Sequence, residues 1–343
     1  MVHLRRAAVV RGHSARHLCL VTTFAPLTPV PLAAIREARD RLTSVSLRTP
    51  LVRFGLPGSS PEIFLKLENL QPIGSFKIRG AANAMGIAGP AALARGVYTA
   101  SAGNMAQGVA WCARALGVRC RVIVPDRAPQ NKLAAIERLG GEAIKVPFDE
   151  WWQTIVDHRH PEMDGVFIHP FADPAVMAGN GTIALEVLDD LSEVDAIIVP
   201  YGGGGLACGI ASAVRAVAPH VRVYAVEVDT AAPLRASLAA GKPVNVIPAP
   251  SFIDGIGGKG VAPEMWPLAS TLLAGTVVVS VAQIAAAIRL LAERGRIVAE
   301  GAGAAALAAA TAGMVDAERI VCIVSGGNID VDKLATILQG ELP

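Results

Sequence analysis

The chain has 343 residues, and its 31 Lys plus Arg against 29 Asp plus Glu leave a formal charge of +2, which offers no basic surface for nucleic acid. At 52% hydrophobic and 4% aromatic, with 34 Gly and 23 Pro, it can bury a large core of small aliphatic side chains; disorder and a mini-protein needing metal or disulfide staples are both excluded. The length suits two domains or one large α/β unit.

Before Glu37 no acidic residue occurs, and Arg5, Arg6, Arg11, Arg16 and Arg36 stand among apolar residues, slightly like a transit peptide. Pro26, Pro29 and Pro31 interrupt any apolar targeting core, so residues 1–25 are expected to be a disordered extension. Cys19, Cys112, Cys120, Cys208 and Cys322 are scattered and form neither a CxxC pair nor a zinc-spaced cluster. A cytoplasmic protein without a metal site is expected.

The first strand-like run, 63–67, leads to Gly74-Ser75-Phe76-Lys77-Ile78-Arg79-Gly80 and an Ala-rich helix. A helix N-terminus disfavours a cation, so a lysine there is either exposed in a turn or a desolvated amine of the kind that forms Schiff bases. Three strands (97–100, 118–124, 142–146) then alternate with helices over 105–116 and 128–139, closed by Gly117 and Gly140. That βαβαβ pattern predicts a small parallel sheet. Trp151 and Trp152 follow it, either as packing residues or as a lid for an aryl-bearing substrate.

The alternation resumes with a strand over 196–200, a helix over 206–217 and a strand over 221–226. Between the first two lies Tyr201-Gly202-Gly203-Gly204-Gly205-Leu206, whose backbone N–H groups at a helix start suit a single phosphate. A dinucleotide site is the competing reading, with Glu227 as the ribose acid, but Cys208 stands where GxGxxG needs glycine. The uncharged stretch 265–288 reads as a buried strand, 276–279, and a helix that Ser280 and Gln283 open as a capping box and that runs to Gly295, not as a membrane span. An Ala-rich helix after Gly301 and a strand over 319–324 close the pattern. Ser101-Ala102-Gly103-Asn104 and Ser325-Gly326-Gly327-Asn328 are two more turns at strand ends, so four turns are expected at one carboxyl edge.

Taken in order and spacing, GSFKIRG, SAGN, GGGGL and SGGN resemble the fold-type II pyridoxal-phosphate enzymes, within them the threonine/serine dehydratase and serine racemase family. The resemblance covers most of the chain, from about Leu42 to Asp330. Phe171-Ala172-Asp173-Pro174 and Ala178-Gly179-Asn180-Gly181-Thr182 also resemble a family segment, with Asn180 in place of the usual glutamine. It implies an α/β fold of two parallel-sheet domains of the tryptophan synthase β-like class, the small domain (96–172) inserted in a large cofactor-binding one (26–95 and 173–343).

The resemblance also implies roles. Lys77 would hold pyridoxal 5'-phosphate as a Schiff base and act as base at Cα, with Phe76 beside the ring and Gly255 over its other face. Asn104 would meet the ring hydroxyl, Gly202, Gly203, Gly204, Gly205 and Leu206 the phosphate, and Ser325 the pyridine nitrogen. Ser101, Gly103, Asn104 and the Met105 N–H would receive the substrate carboxylate. The implied reaction is elimination of water from an L-threonine or L-serine type amino acid, giving a 2-oxo acid and ammonia, with the cofactor phosphate or a held water as acid.

Ala102 lacks the serine hydroxyl of family racemases, and Ile78 stands where sulfhydrylases and threonine synthases carry aspartate; both favour a dehydratase. A racemase, a dehydratase for a bulkier substrate such as phenylserine, and a nicotinamide-dependent oxidoreductase remain the alternatives. Pro233 replaces the second acid of a racemase-like cation site beside Glu227. The chain ends 15 residues after Asn328, so no C-terminal regulatory domain is expected. A homo-oligomer without nucleic acid or membrane partners is the expected assembly.

Overall fold

The computed structural model describes residues 24–55 and 60–343. The expected extension therefore lies outside the described residues up to position 23, as does Cys19. The strands are β1 (Leu51–Phe54), β2 (Glu62–Lys66), β3 (Val97–Ala100), β4 (Cys120–Pro125), β5 (Gly141–Val146), β6 (Val166–Phe167), β7 (Ala196–Pro200), β8 (Arg222–Val228), β9 (Gly275–Val279) and β10 (Arg319–Ile323). They form a six-stranded sheet in the order β1-β2-β10-β7-β8-β9 and a four-stranded sheet in the order β5-β4-β3-β6.

Every pairing is parallel except β1 with β2. Strands covered on both faces read as unbroken apolar runs, and β3 and β7 are buried at every residue. The chain enters the larger sheet, leaves it to build the smaller one, and returns. In the larger sheet the order reverses around β2, β10 and β7, so the turns after these strands face one another, which is where ligands collect in such sheets.

The helix that begins at Lys77, Lys77–Leu93, packs on the helix Pro174–Asp190. The approach is backbone to backbone: a Cβ on Gly179 would stand 2.4 Å from the Arg79 carbonyl oxygen. Asp173 caps the second helix by accepting from the Ala175 and Val176 N–H groups.

The uncharged stretch behaves as expected at its start. Gly275–Val279 is a strand, and Ser280 and Gln283 exchange both bonds of a capping box at the head of the helix Val281–Leu290. The helix does not run on to Gly295 in α form. It widens into one π turn, Leu291–Gly295, in which the Leu291 side chain is buried and its carbonyl accepts from the Arg296 N–H. No helix among the described residues is long and apolar enough to cross a membrane. Cys112, Cys120, Cys208 and Cys322 are buried free thiols.

Candidate active site

Three of the four turns meet, and the segment at Pro170 and Phe171 links the fourth, the glycine loop, to Lys77. Ser75 pairs with Gly326 in an antiparallel bridge, the Phe76 N–H donates to the Ser325 carbonyl (3.0 Å), and the Gly327 N–H donates to the Gly74 carbonyl (2.9 Å). The lysine turn and the turn after β10 are thus sewn together by backbone. The Asn328 amide donates to the Ile73 carbonyl (2.9 Å) and to Asn104 Oδ1 (2.8 Å), and that second bond ties the turn after β3 to them.

Lys77 is partly buried, and its Nζ donates to the Pro170 carbonyl at 2.5 Å and lies 5.2 Å from the centre of the Phe76 ring. Burial pulls the amine pKa from 10.5 down to about 8, partly offset by the Glu300 carboxylate. A lysine so shifted is a nucleophile near neutral pH. The sign gives a test. Capture of an aldehyde needs the neutral amine, so reconstitution of the apoprotein should level off above pH 8 and slow about tenfold for each unit below it. Stopped-flow absorbance between pH 6 and 9 reads this directly.

The glycine loop has the donor set of an anion site. None of the N–H groups from Gly202 to Leu206 donates to any group among the described residues, although they sit at the head of the helix Gly205–Val217. Five free amides at a helix start suit a phosphate. The loop also admits no side chains. A Cβ on Gly202 would lie 2.4 Å from the Gly255 carbonyl oxygen, one on Gly203 2.2 Å from the Phe171 ring, and one on Gly205 2.6 Å from the Phe171 carbonyl oxygen. Gly203→Ala should therefore weaken pyridoxal-phosphate binding roughly ten- to hundredfold, the equivalent of about 1–3 kcal/mol of overpacking, measured by absorbance titration of the apoprotein.

The substrate-side turn is partly pre-engaged. Ser101 Oγ accepts the Gly103 N–H (3.1 Å), whereas the amides of Asn104 and Met105, at the start of the helix Asn104–Leu116, have no acceptor among the described residues. The Met105 and Leu206 side chains point into cores, so only their backbone faces the cleft. Asn104 donates to Glu300 Oε1 at 2.7 Å. Glu300 is buried, and burial raises its carboxyl pKa to about 8, against the pull of the Asn104 bond.

Glu300 and the Pro170 carbonyl are the parts that sequence reasoning missed. An acid just before an Ala-rich helix reads as a cap, and Glu300 does precede the helix Gly301–Thr311, but its carboxylate turns to Asn104 instead. Among the described residues Glu227 makes no side-chain hydrogen bond to these turns. Its two oxygens accept the Leu234 and Arg235 N–H groups at 2.8 Å each, and one also takes the Thr276 hydroxyl, so it closes the head of the helix Pro233–Ala240.

Comparison with known proteins gives one consistent answer. The family model for pyridoxal-phosphate dependent enzymes matches residues 42–326. An L-threonine ammonia-lyase of Geobacter sulfurreducens is 43% identical over 324 residues, covering 91% of this chain and 79% of the relative. A catabolic L-threonine dehydratase of Escherichia coli is 37% identical, covering 90% and 96%. Among solved structures, a threonine deaminase from T.th. superposes with a TM-score of 0.81 at 33% identity, covering 87% of this chain and 98% of the other. Maize serine racemase gives 0.80 at 32%, covering 91% and 98%.

Proposed function

Because the chain belongs to the pyridoxal-phosphate dependent enzyme family, we propose that it is a lyase removing water from a β-hydroxy amino acid of the L-threonine or L-serine type, with release of a 2-oxo acid and ammonia. The observation that carries this reading is that the Pro170–Phe171 segment joins a lysine amine, whose pKa burial lowers to about 8, to a loop of five amides without an acceptor among the described residues. The bound cofactor supplies the electron sink that makes the Cα proton removable.

The chain's own residues do the rest. The Lys77 amine would hold the cofactor covalently and, when free, would take the Cα proton. The amides of Gly202, Gly203, Gly204, Gly205 and Leu206 hold the phosphate, while Phe76 and Gly255 flank the ring. Ser325 would offer the ring nitrogen a hydroxyl, not a carboxylate, and so would not hold a proton on it. Asn104, steadied by Glu300 and Asn328, takes the ring hydroxyl. An arriving carboxylate meets the Asn104 and Met105 amides and displaces the Ser101 hydroxyl from the Gly103 N–H.

Residues 26–95 and 173–343 form the cofactor-binding unit and 96–172 the smaller one in this reading. A homo-oligomer in the cytoplasm is the proposed working form, the latter on the strength of four free thiols. The decisive assay incubates the purified protein with L-threonine and L-serine and measures 2-oxo acid and the chirality of the remaining serine. Oxo acid with unchanged chirality supports a dehydratase; accumulation of D-serine instead makes it a racemase, against the methyl group at Ala102.

A bulkier substrate has one observation in its favour. Trp151 packs in the small cluster that holds Ala100 and Phe171, and its indole N–H is buried without an acceptor. If it covers an aryl group, Trp151→Ala lowers kcat/KM for phenylserine at least tenfold more than for threonine. Equal losses on both substrates remove the lid.

A further inference from the structure

One buried imidazole, outside all four glycine-rich turns, holds together the segment that touches both the lysine and the glycine loop. His169 is 2% exposed. Its Nδ1 accepts two backbone N–H groups, from Phe171 (3.1 Å) and Ala172 (2.7 Å), and its Nε2–H donates to the Ile155 carbonyl (3.2 Å). Those bonds fold His169-Pro170-Phe171-Ala172 around the ring. The turn then presents the Pro170 carbonyl to Lys77 Nζ and the Phe171 ring and carbonyl to Gly203 and Gly205.

We propose, on the reading that this cleft binds pyridoxal phosphate, that His169 is a positioning residue for cofactor capture, acting through the Pro170 carbonyl on Lys77 and through Phe171 on the phosphate loop. Only an imidazole neutral at Nδ1 can do this, since a proton there would face two N–H donors. The surroundings keep it neutral. Burial first, and the nearby His158 and Lys77 after it, hold its pKa well below the ordinary imidazole value. The His158 ring, 4.2 Å away, is itself stacked on Phe24 and faces Glu264 Oε1 at 3.3 Å. Phe171 meets His169 edge-on at 4.6 Å, so the aromatic packing and the hydrogen bonds set the same turn.

The test compares His169→Phe, which keeps a ring without nitrogens, His169→Asn, which returns one acceptor, and Val146→Ala, a truncation in the small core that Phe171 borders. Cofactor dissociation constants come from absorbance titration of each apoprotein, beside thermal melting. Expected are about tenfold weaker binding for His169→Phe, about threefold for His169→Asn, and wild-type binding for Val146→Ala despite a lowered melting temperature. If either His169 variant binds no more weakly than Val146→Ala, the positioning role is overturned; should His169→Phe not fold, the His169→Asn comparison decides alone. A wild-type protein that takes up no pyridoxal phosphate would instead refute the underlying cofactor reading.

Discussion

Lys77→Ala is expected to lower turnover of L-threonine by more than about 10⁴-fold and to abolish the visible absorbance of the purified protein, because one amine supplies both covalent attachment and the base at Cα. The stability effect should be small and favourable. Lys77 carries a charge that burial disfavours, and removing it frees only the Pro170 carbonyl of its one bond from the amine. Compared as apoproteins, the variant should melt slightly above the wild type while turnover is lost, which separates loss of chemistry from loss of fold. Added primary amines offer a further control: partial recovery of turnover in Lys77→Ala would place the missing function in the proton transfer. Colour retained in Lys77→Ala would move the covalent attachment to another amine and end the assignment.

The fold and half of the site were legible because glycine-rich turns between an apolar run and a helix have few other uses. GSFKIRG, SAGN, GGGGL and SGGN each sit at the carboxyl end of a strand, and backbone bonds among Ser75, Phe76, Ser325, Gly326 and Gly327 bring two of them into contact. Short or fully buried elements were not legible. β1 and β6 have four and two residues, too few for a period to show. The helix Pro174–Asp190 is buried without a break from Val176 to Val187, so it has no polar face for the eye to follow. Buried polar residues were the other blind spot. Glu300, His169 and Arg79 look in sequence like ordinary surface side chains, and only their neighbours reveal what they hold.

Arg79 carries the largest expected effect on stability. It lies two residues after Lys77, is 1% exposed, and makes a two-pronged contact with Glu68 (2.8 and 2.9 Å) and another with Glu186 (2.6 and 2.9 Å). Lys66, also fully buried, joins Glu186 at 2.6 Å and the Thr49 carbonyl at 2.6 Å. Two cations thus face two anions in a closed set linking β2, the short turn at Glu68, the Lys77 helix and the helix Pro174–Asp190. Burial alone would raise the Glu68 carboxyl, yet the Arg79 charge more than offsets it and holds its pKa below the usual value.

Arg79→Leu leaves two buried carboxylates sharing one lysine. Breaking a buried pair from one side costs about 3–5 kcal/mol, a large part of a typical 5–15 kcal/mol margin. The melting temperature should fall by roughly 4–7 °C. The sign with pH follows from Glu68. Once Arg79 is gone its folded pKa lies above the unfolded one, so the variant should regain stability as pH falls through that folded value, whereas Glu68 in the wild type loses stability on acidification. Arg79→Lys should recover little, since an ammonium cannot fork to two carboxylates at once. Thermal melts of both variants from pH 5 to 8 test the argument. An Arg79→Leu protein as stable as wild type across that range would mean that the ion set contributes nothing to holding Lys77 at the head of its helix.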